Sequence, residues 1–242
     1  MIRAILGVGW RTADECVYRA VQERVRDYID KTTGIQTLVQ MTGLVEMVRE
    51  FGLAPADRVL DAKGYKAVYN VELLALVRTR LGKLERGEVT VEEYTLKGSL
   101  PLLAALDRAG VELHLASGTD EEDVKSEAEA LGCAGFFKGR IHGSIGDVNH
   151  EAKRVVLERI LADIGTRSLA GLVTFGDGPV ELRETRRRGG YCVGVASDEV
   201  RRSGLNPAKR ARLIRAGADL VVPDFTQHGR LLALLGVPGG AP

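Results

Sequence analysis

The sequence predicts an α/β protein: a parallel sheet with helices on both faces, joined to a separate all-helical segment. Three observations lead there. Residues 12–95 show almost only the 3.6-residue period of amphipathic helices. From about residue 98 helical stretches alternate with short apolar runs, the pattern of strands joined by helical crossovers. And 242 residues are enough to bury a core and carry a modest second domain.

Composition narrows the function classes. With 45% hydrophobic and 28% charged residues the chain has the make-up of an ordinary globular protein. Its 34 basic and 33 acidic residues leave a formal charge of +1, so no general attraction to nucleic acid or an acidic membrane surface is expected. Cys16, Cys133 and Cys192 are odd in number, widely spaced and form no C-x-x-C. They read as reduced thiols of a cytoplasmic protein, not as disulfides or a zinc site. The apolar run LLALLGV (231–237) is far too short to cross a bilayer, so no membrane partner is expected. MIRAILGVGW leads into TADE without a small-residue cleavage site, which argues against a secretory signal.

The elements follow in order. IRAILGV (2–8) reads as a buried strand. ADECVYRAVQERVRDYI places Cys16, Val17, Ala20, Val21, Val25 and Ile29 close to a helical period. TLVQMTGLVEMVREF does the same and stops at Gly52; VELLALVRTRL (71–81) is a third helix ending at Gly82. Between those two, GLAPADRVLDAKGYKAVYN carries the Gly, Pro, Asp and Asn of a long connection. Further on, the helix SLPLLAALDRAG precedes a strand VELHLA, and the helix DEEDVKSEAEALG precedes a short apolar CAGFF. The helix HEAKRVVLERILADIG leads to a strand GLVTF, and the helix PVELRETRRRGG to a strand YCVGVA. NPAKRARLIRAGAD then enters the strand DLVVP before a last helix. In such sheets ligands sit beyond the carboxyl ends of the strands.

Three places there carry suitable residues. In VELHLASGTDEED, Ser117 ends a strand, Gly118 follows, and Thr119 and Asp120 open a helix. A small hydroxyl beside free amides at a helix N-terminus can seat a phosphate; the same residues also serve as a plain N-cap with dipole-favoured acids behind it. In GLVTFGDGPVEL, Asp177 lies between Gly176 and Gly178, with Glu181 four residues on. Two hard oxygen ligands on a tight turn suit Mg²⁺, against the plainer reading of a turn aspartate and a dipole-paired glutamate. In NHEAKRVVLERIL, Lys153 stands in the first turn of a helix, where its charge opposes the dipole unless an anion lies in front; an exposed lysine is the simpler account.

The order of these signals, strand-Ser-Gly-Thr-Asp, a helical lysine, then strand-Gly-Asp-Gly-x-x-Glu, resembles the haloacid dehalogenase (HAD) superfamily. The likeness covers essentially the whole chain and is similar to the phosphoglycolate phosphatase and phosphoglucomutase-like branch with a helical C1-type cap. TTGIQTLVQM, ASGTDEEDVKSEAEALG, FGDGPVEL and AGADLVVPDF carry it. The resemblance implies a Rossmann-like core over 96–242, a helical cap over 12–95, and in 1–11 a remnant of, or connection from, the core N-terminus. It implies that Ser117, with Gly118 and Thr119, binds a phosphoryl group, that Lys153 neutralises its charge, and that Asp177 and Glu181 hold Mg²⁺. Thr33 and Gln36, with Thr32 and Lys66, would shape substrate choice from the cap. Some members of this branch are fused to ribokinase-like sugar kinases, so such a kinase is an expected partner.

The superfamily's nucleophile is the first aspartate of an Asp-x-Asp-Gly-Thr motif ending the first core strand, and IRAILGV lacks it. If IRAILGV were that strand, the motif would fall near Val8, Gly9 and Trp10, and only Thr12 would match. In the resembled branch a Gly-Trp pair follows the motif a short way on, so Gly9-Trp10 marks the entry to the cap and the motif strand is expected before Met1. That strand would be central, between those ending at Ser117 and Asp177. Its loss leaves two interior edges unpaired, at about 1–3 kcal/mol for each buried unsatisfied backbone group. The implied function is a Mg²⁺-dependent phosphatase acting on a small phosphorylated metabolite, such as a sugar phosphate, through an aspartyl-phosphate, with the nucleophile missing from this chain. The alternatives are a phosphosugar mutase and a catalytically inactive phosphometabolite-binding module partnering a sugar kinase.

Other signals take plainer readings. Gly7-Val8-Gly9 lacks the third glycine of a dinucleotide fingerprint. Arg186–Arg188 suits a helix C-terminus, and KRARLIR (209–215) reads as a solvated basic face. His114, His142, His150 and His228 show no metal-ligand spacing.

Overall fold

A computed structural model describes residues 1–242 apart from 33–36, 146–151, 165–170, 200, 202–203 and 239–242; of Val8, Asp30, Ala152, Lys153 and Asp163 it describes the backbone. The chain forms two compact units, Met1–Arg80 and Leu81–Pro242. No helix among the described residues is long and apolar enough to cross a membrane.

The first unit is helical: α1 (Ile2–Leu6), α2 (Glu15–Thr32), α3 (Thr37–Phe51) and the greater part of α4 (Ala62–Glu85). Its core joins Ile5 of α1, Val21 and Val25 of α2, Met41, Leu44, Met47 and Val48 of α3, and Tyr65 of α4. α2 and α3 approach closely at Gly43, where an added Cβ would lie 2.1 Å from the Tyr28 hydroxyl oxygen. That hydroxyl donates to the Gln40 carbonyl at 3.2 Å.

The opening strand is not there. Residues 2–6 are helical, and Gly7, at φ 64°, ends the helix in a backbone conformation that glycine adopts without penalty. A short apolar run has no period that separates a strand from a buried helical turn. Here the turn satisfies its own amides, with Ile5 N–H donating to the Met1 carbonyl at 3.1 Å, and buries Ile5 and Leu6 among α2 and α3. Residues expected as a core remnant thus belong to the helical unit, and the compact units meet at Arg80/Leu81, not at 95. The long connection is also shorter than expected. Asp61 accepts the Gly64 amide at 2.8 Å and starts α4 nine residues before 71.

The second unit is α/β. After α5 (Val91–Tyr94) and α6 (Ser99–Arg108) come β1 (Leu115–Asp120), α7 (Glu121–Ala130), α8 (Ala134–Phe137), β2 (Ile141–Ser144) and α9 (Ala152–Ile164). β3 (Val173–Gly176), α10 (Pro179–Arg187), β4 (Tyr191–Val195), α11 (Pro207–Arg215), β5 (Leu220–Val222) and α12 (His228–Leu234) complete it. Two expectations shift. VELHLA is a strand only from Leu115, and CAGFF is the helix α8, while the strand of this repeat is β2, IHGS. β2 carries a histidine and a glycine instead of a β-branched run, so its sequence shows little β-propensity. Gly143 is needed because an added Cβ would lie 2.3 Å from the Glu121 Cα.

Among the described residues the strands pair in parallel, in two sheets: β1–β2, and β3–β4–β5 with β4 in the middle. Among the described residues no strand pairs β1 with β3, so each presents one unpartnered edge. One apolar core nevertheless serves both sheets, running from Leu113, Phe137 and Ile141 to Val193, Val195 and Phe225. α9 packs on β1 and β2 and also on α10, which covers β3 and β4.

Candidate active site at the strand ends

Ser117 lies within β1, half-buried. The ladder runs Leu115–Ile141 and Ala116–His142, then shifts register before Asp120–Ser144, so Ser117-Gly118-Thr119 forms an irregularity in the strand. The Thr119 amide donates to Ser117 Oγ at 3.2 Å. Thr119 and Asp120 were expected to open the helix; instead they extend the strand and α7 begins at Glu121. Ser117-Gly118-Thr119 is therefore a distorted strand end and not a helix N-terminus. Glu121 itself is engaged in structure: it pairs with Lys125 at 3.0 Å and Arg159 at 3.3 Å and accepts the Gly143 amide. The Lys125 bond above all, with the Gly143 amide and Arg159 and against the effect of burial, holds its carboxyl pKa below the ordinary range.

Asp177 follows β3 directly, and its side chain is 58% exposed. Its Oδ2 lies 3.5 Å from the Lys209 ammonium. Glu181, in the first turn of α10, folds back so that Oε1 accepts the Gly178 amide at 2.9 Å. An added Cβ at Gly176 would lie 2.5 Å from Glu181 Cγ, and one at Gly178 2.8 Å from Glu181 Oε2. The glycines flanking Asp177 make room for the folded-back side chain of Glu181.

Both carboxylates come from one turn, hard oxygen donors of the type taken by a cation that fills the rest of its shell with water and phosphate oxygens. Among the described residues no three His, Cys, Asp or Glu come together as a ligand set. Lys153 has its backbone in the first turn of α9, while its side chain lies outside the described residues, as do Thr33 and Gln36.

A cleft of about 340 Å³ opens at the carboxyl ends of β3, β4 and β5. Asp177, Ser197, Asp198, Glu199 and Asp224 line it from these ends, and Lys97 from the segment before α6. Neither Ser117 nor Glu181 reaches its wall. The segment holding Lys97 is pinned: the Phe225 amide donates to the Lys97 carbonyl at 2.8 Å. Gly98, at φ 76°, passes so near that an added Cβ would lie 2.3 Å from the Phe225 carbonyl carbon.

Lys209 was read as part of a solvated basic face, but its side chain is only 13% exposed and its ammonium contacts Asp177 and Glu199. The other basic run is likewise paired: Arg187 and Arg188 both bond Glu184, and Arg186 bonds Asp219. Asp198 and Asp224 were open to the sequence, since each follows an expected strand, YCVGVA or DLVVP, where such sheets place their ligands.

The fold has solved counterparts. A haloacid dehalogenase-like protein of unknown function from Agrobacterium tumefaciens matches with a TM-score of 0.50 at 17% identity, over 82% of this chain and 92% of that one. A hydrolase of the haloacid dehalogenase-like family from Streptococcus pneumoniae matches with a TM-score of 0.51 at 18% identity, over 86% of this chain and 80% of that one. No family model and no curated protein matches the chain. The likeness is one of fold: the chain has a HAD-like α/β architecture.

Proposed function

We propose that this chain is the body of a HAD-like phosphoric monoester hydrolase that acts on a small phosphorylated metabolite, such as a sugar phosphate. The observation that carries the reading is the Asp177-Gly178-x-x-Glu181 turn at the carboxyl end of a parallel strand, beside an open cleft, in a fold shared with HAD-like proteins. Asp177 and Glu181 would hold Mg²⁺, which supplies charge neutralisation when bound. Ser117, with the Gly118 and Thr119 backbone, donates to the phosphoryl oxygens, and Lys153 offsets their charge, which is how such reactions gain most of their rate.

The chemistry is a displacement at phosphorus. A carboxylate oxygen forms a bond to phosphorus as the ester P–O bond breaks, and the second aspartate of the motif gives its proton to the departing alcohol. The same aspartate then takes a proton from the water that cleaves the aspartyl-phosphate, which releases phosphate and restores the carboxylate. No strand of the described residues stands between β1 and β3, so that carboxylate comes from no strand seen in this sheet. An Asp-x-Asp-Gly-Thr strand in that position would pair both free edges and present its aspartate between the Ser117 and Asp177 strand ends. The reduced cysteines suit a cytoplasmic site, and a ribokinase-like sugar kinase is the partner this reading favours.

The same gap favours a second reading, a catalytically inactive module that binds a phosphometabolite. Hydrolysis of p-nitrophenyl phosphate separates the two. The 242-residue chain should turn over almost nothing, since loss of the nucleophile in a covalent enzyme costs on the order of a million-fold. The same chain carrying an added N-terminal Asp-x-Asp-Gly-Thr strand should become active and more stable. An extended protein that is more stable yet still inert would support the binding module. Substantial Mg²⁺-dependent turnover by the 242-residue chain would show that another side chain attacks phosphorus.

A further inference from the structure

Lys209 sits in an unusual place for a lysine. Pro207 starts α11 and the Asn206 side chain caps it by accepting the Lys209 amide at 3.0 Å, so Lys209 occupies the first turn, where the helix dipole disfavours a cation. Its neighbours Ala208 and Arg210 are exposed, but its own side chain is drawn inward to 13% exposure. Withdrawing an ammonium from water is unfavourable unless anions meet it. Two do: Glu199, at hydrogen-bond distance, and Asp177 at 3.5 Å. Both carboxylates line the cleft at the strand ends, and Lys209 stands behind that wall.

We propose that Lys209 is a positioning residue of this site, the resident counter-ion of Asp177, and that a divalent cation reaches Asp177 only in competition with its ammonium. The inference rests on Asp177 being a cation ligand, as proposed above. Glu199 anchors the ammonium, and the link to Asp177 is the longer of the two, so Asp177 can turn from Lys209 toward an arriving cation while Lys209 keeps one partner. The positive charge then remains within a few ångströms of the metal and weakens its binding. This makes affinity for the cation a property of α11, an element that carries no metal ligand itself.

Calorimetric titration with MgCl₂ tests this on the 242-residue chain and on its Lys209→Met, Lys209→Arg and Asp177→Ala variants. Removing the ammonium should tighten binding about tenfold or more, and the guanidinium should leave it near the parent value. Asp177→Ala should abolish binding, including when combined with Lys209→Met. Binding seen only in Lys209→Met and lost with Asp177 would also support the proposal. If Asp177-dependent binding is unchanged or weaker in Lys209→Met, the Lys209 inference falls and the metal reading stands. If no protein binds Mg²⁺ through Asp177, both fall. Circular dichroism confirms folding of each variant. Should Lys209→Met not fold, amine labelling of the parent chain decides: saturating Mg²⁺ should speed modification of Lys209 at least threefold, and an unchanged rate overturns the proposal.

Discussion

The carboxylate of Glu181 accepts the amide of Gly178 at 2.9 Å, closing the first turn of α10 onto the loop that carries Asp177. Gly178 has no side chain to return the bond, so Glu181 alone caps this helix end. A residue expected as a metal ligand therefore has a structural duty of its own. Replacing it should separate the two. Glu181→Ala should cost about 1 kcal/mol, read as a fall of a few degrees in Tm. Glu181→Gln keeps an acceptor for the amide and should retain most of that stability while weakening Mg²⁺ binding. Equal Mg²⁺ affinity in Glu181→Gln and the parent chain would confine Glu181 to the cap.

Ile5 is fully buried in the helical unit. Ile5→Ala should destabilise that unit by about 2–4 kcal/mol, measured by urea denaturation followed at Trp10. A loss under 1 kcal/mol would mean that residues 2–6 do not pack among α2 and α3.

Acid should weaken α10 through Glu184. Its carboxylate, 9% exposed, bonds Arg188 at 2.6 Å and Arg187 at 2.7 Å, and the Arg188 bond above all holds its pKa below the ordinary range. Because the folded-state pKa is depressed, the contribution is complete above the unfolded value, roughly pH 4, and is lost as pH falls through the folded one. Glu184→Gln should therefore lower Tm at pH 7 and lower it progressively less below about pH 4. A Tm gap that stays constant from pH 7 to pH 3 would remove Glu184 from the acid response.

The sequence was legible where one element answers to one pattern. The periodic runs in α2 and α3 formed close to their expected limits, but of the stripe expected on α2 only Val21 and Val25 are buried, joined by Tyr18 and Tyr28, while Cys16, Val17, Ala20 and Ile29 face solvent. The strands GLVTF, YCVGVA and DLVVP formed as well, each an apolar run bounded by helices. IRAILGV and CAGFF misled, and IHGS was passed over, because runs of four to seven residues take their conformation from what they pack against, which no local pattern records. Asp177 was singled out from its glycine turn. Lys209 was not, because a lysine on a basic helix looks the same whether its ammonium faces water or is folded against two carboxylates from other loops.

By itself the sequence determined the alternation of helix and strand in the second half, the helical character of the first, and the chemical types available at the strand ends. These depend on spacing along the chain. Only the tertiary structure decided that the opening residues complete a helical core, that among the described residues β1 and β3 do not pair with each other, and that Lys209 places its ammonium beside Asp177. Each of those is a contact between distant parts of the chain. Packing and charge pairing choose among them, and adjacent residues carry no trace of that choice.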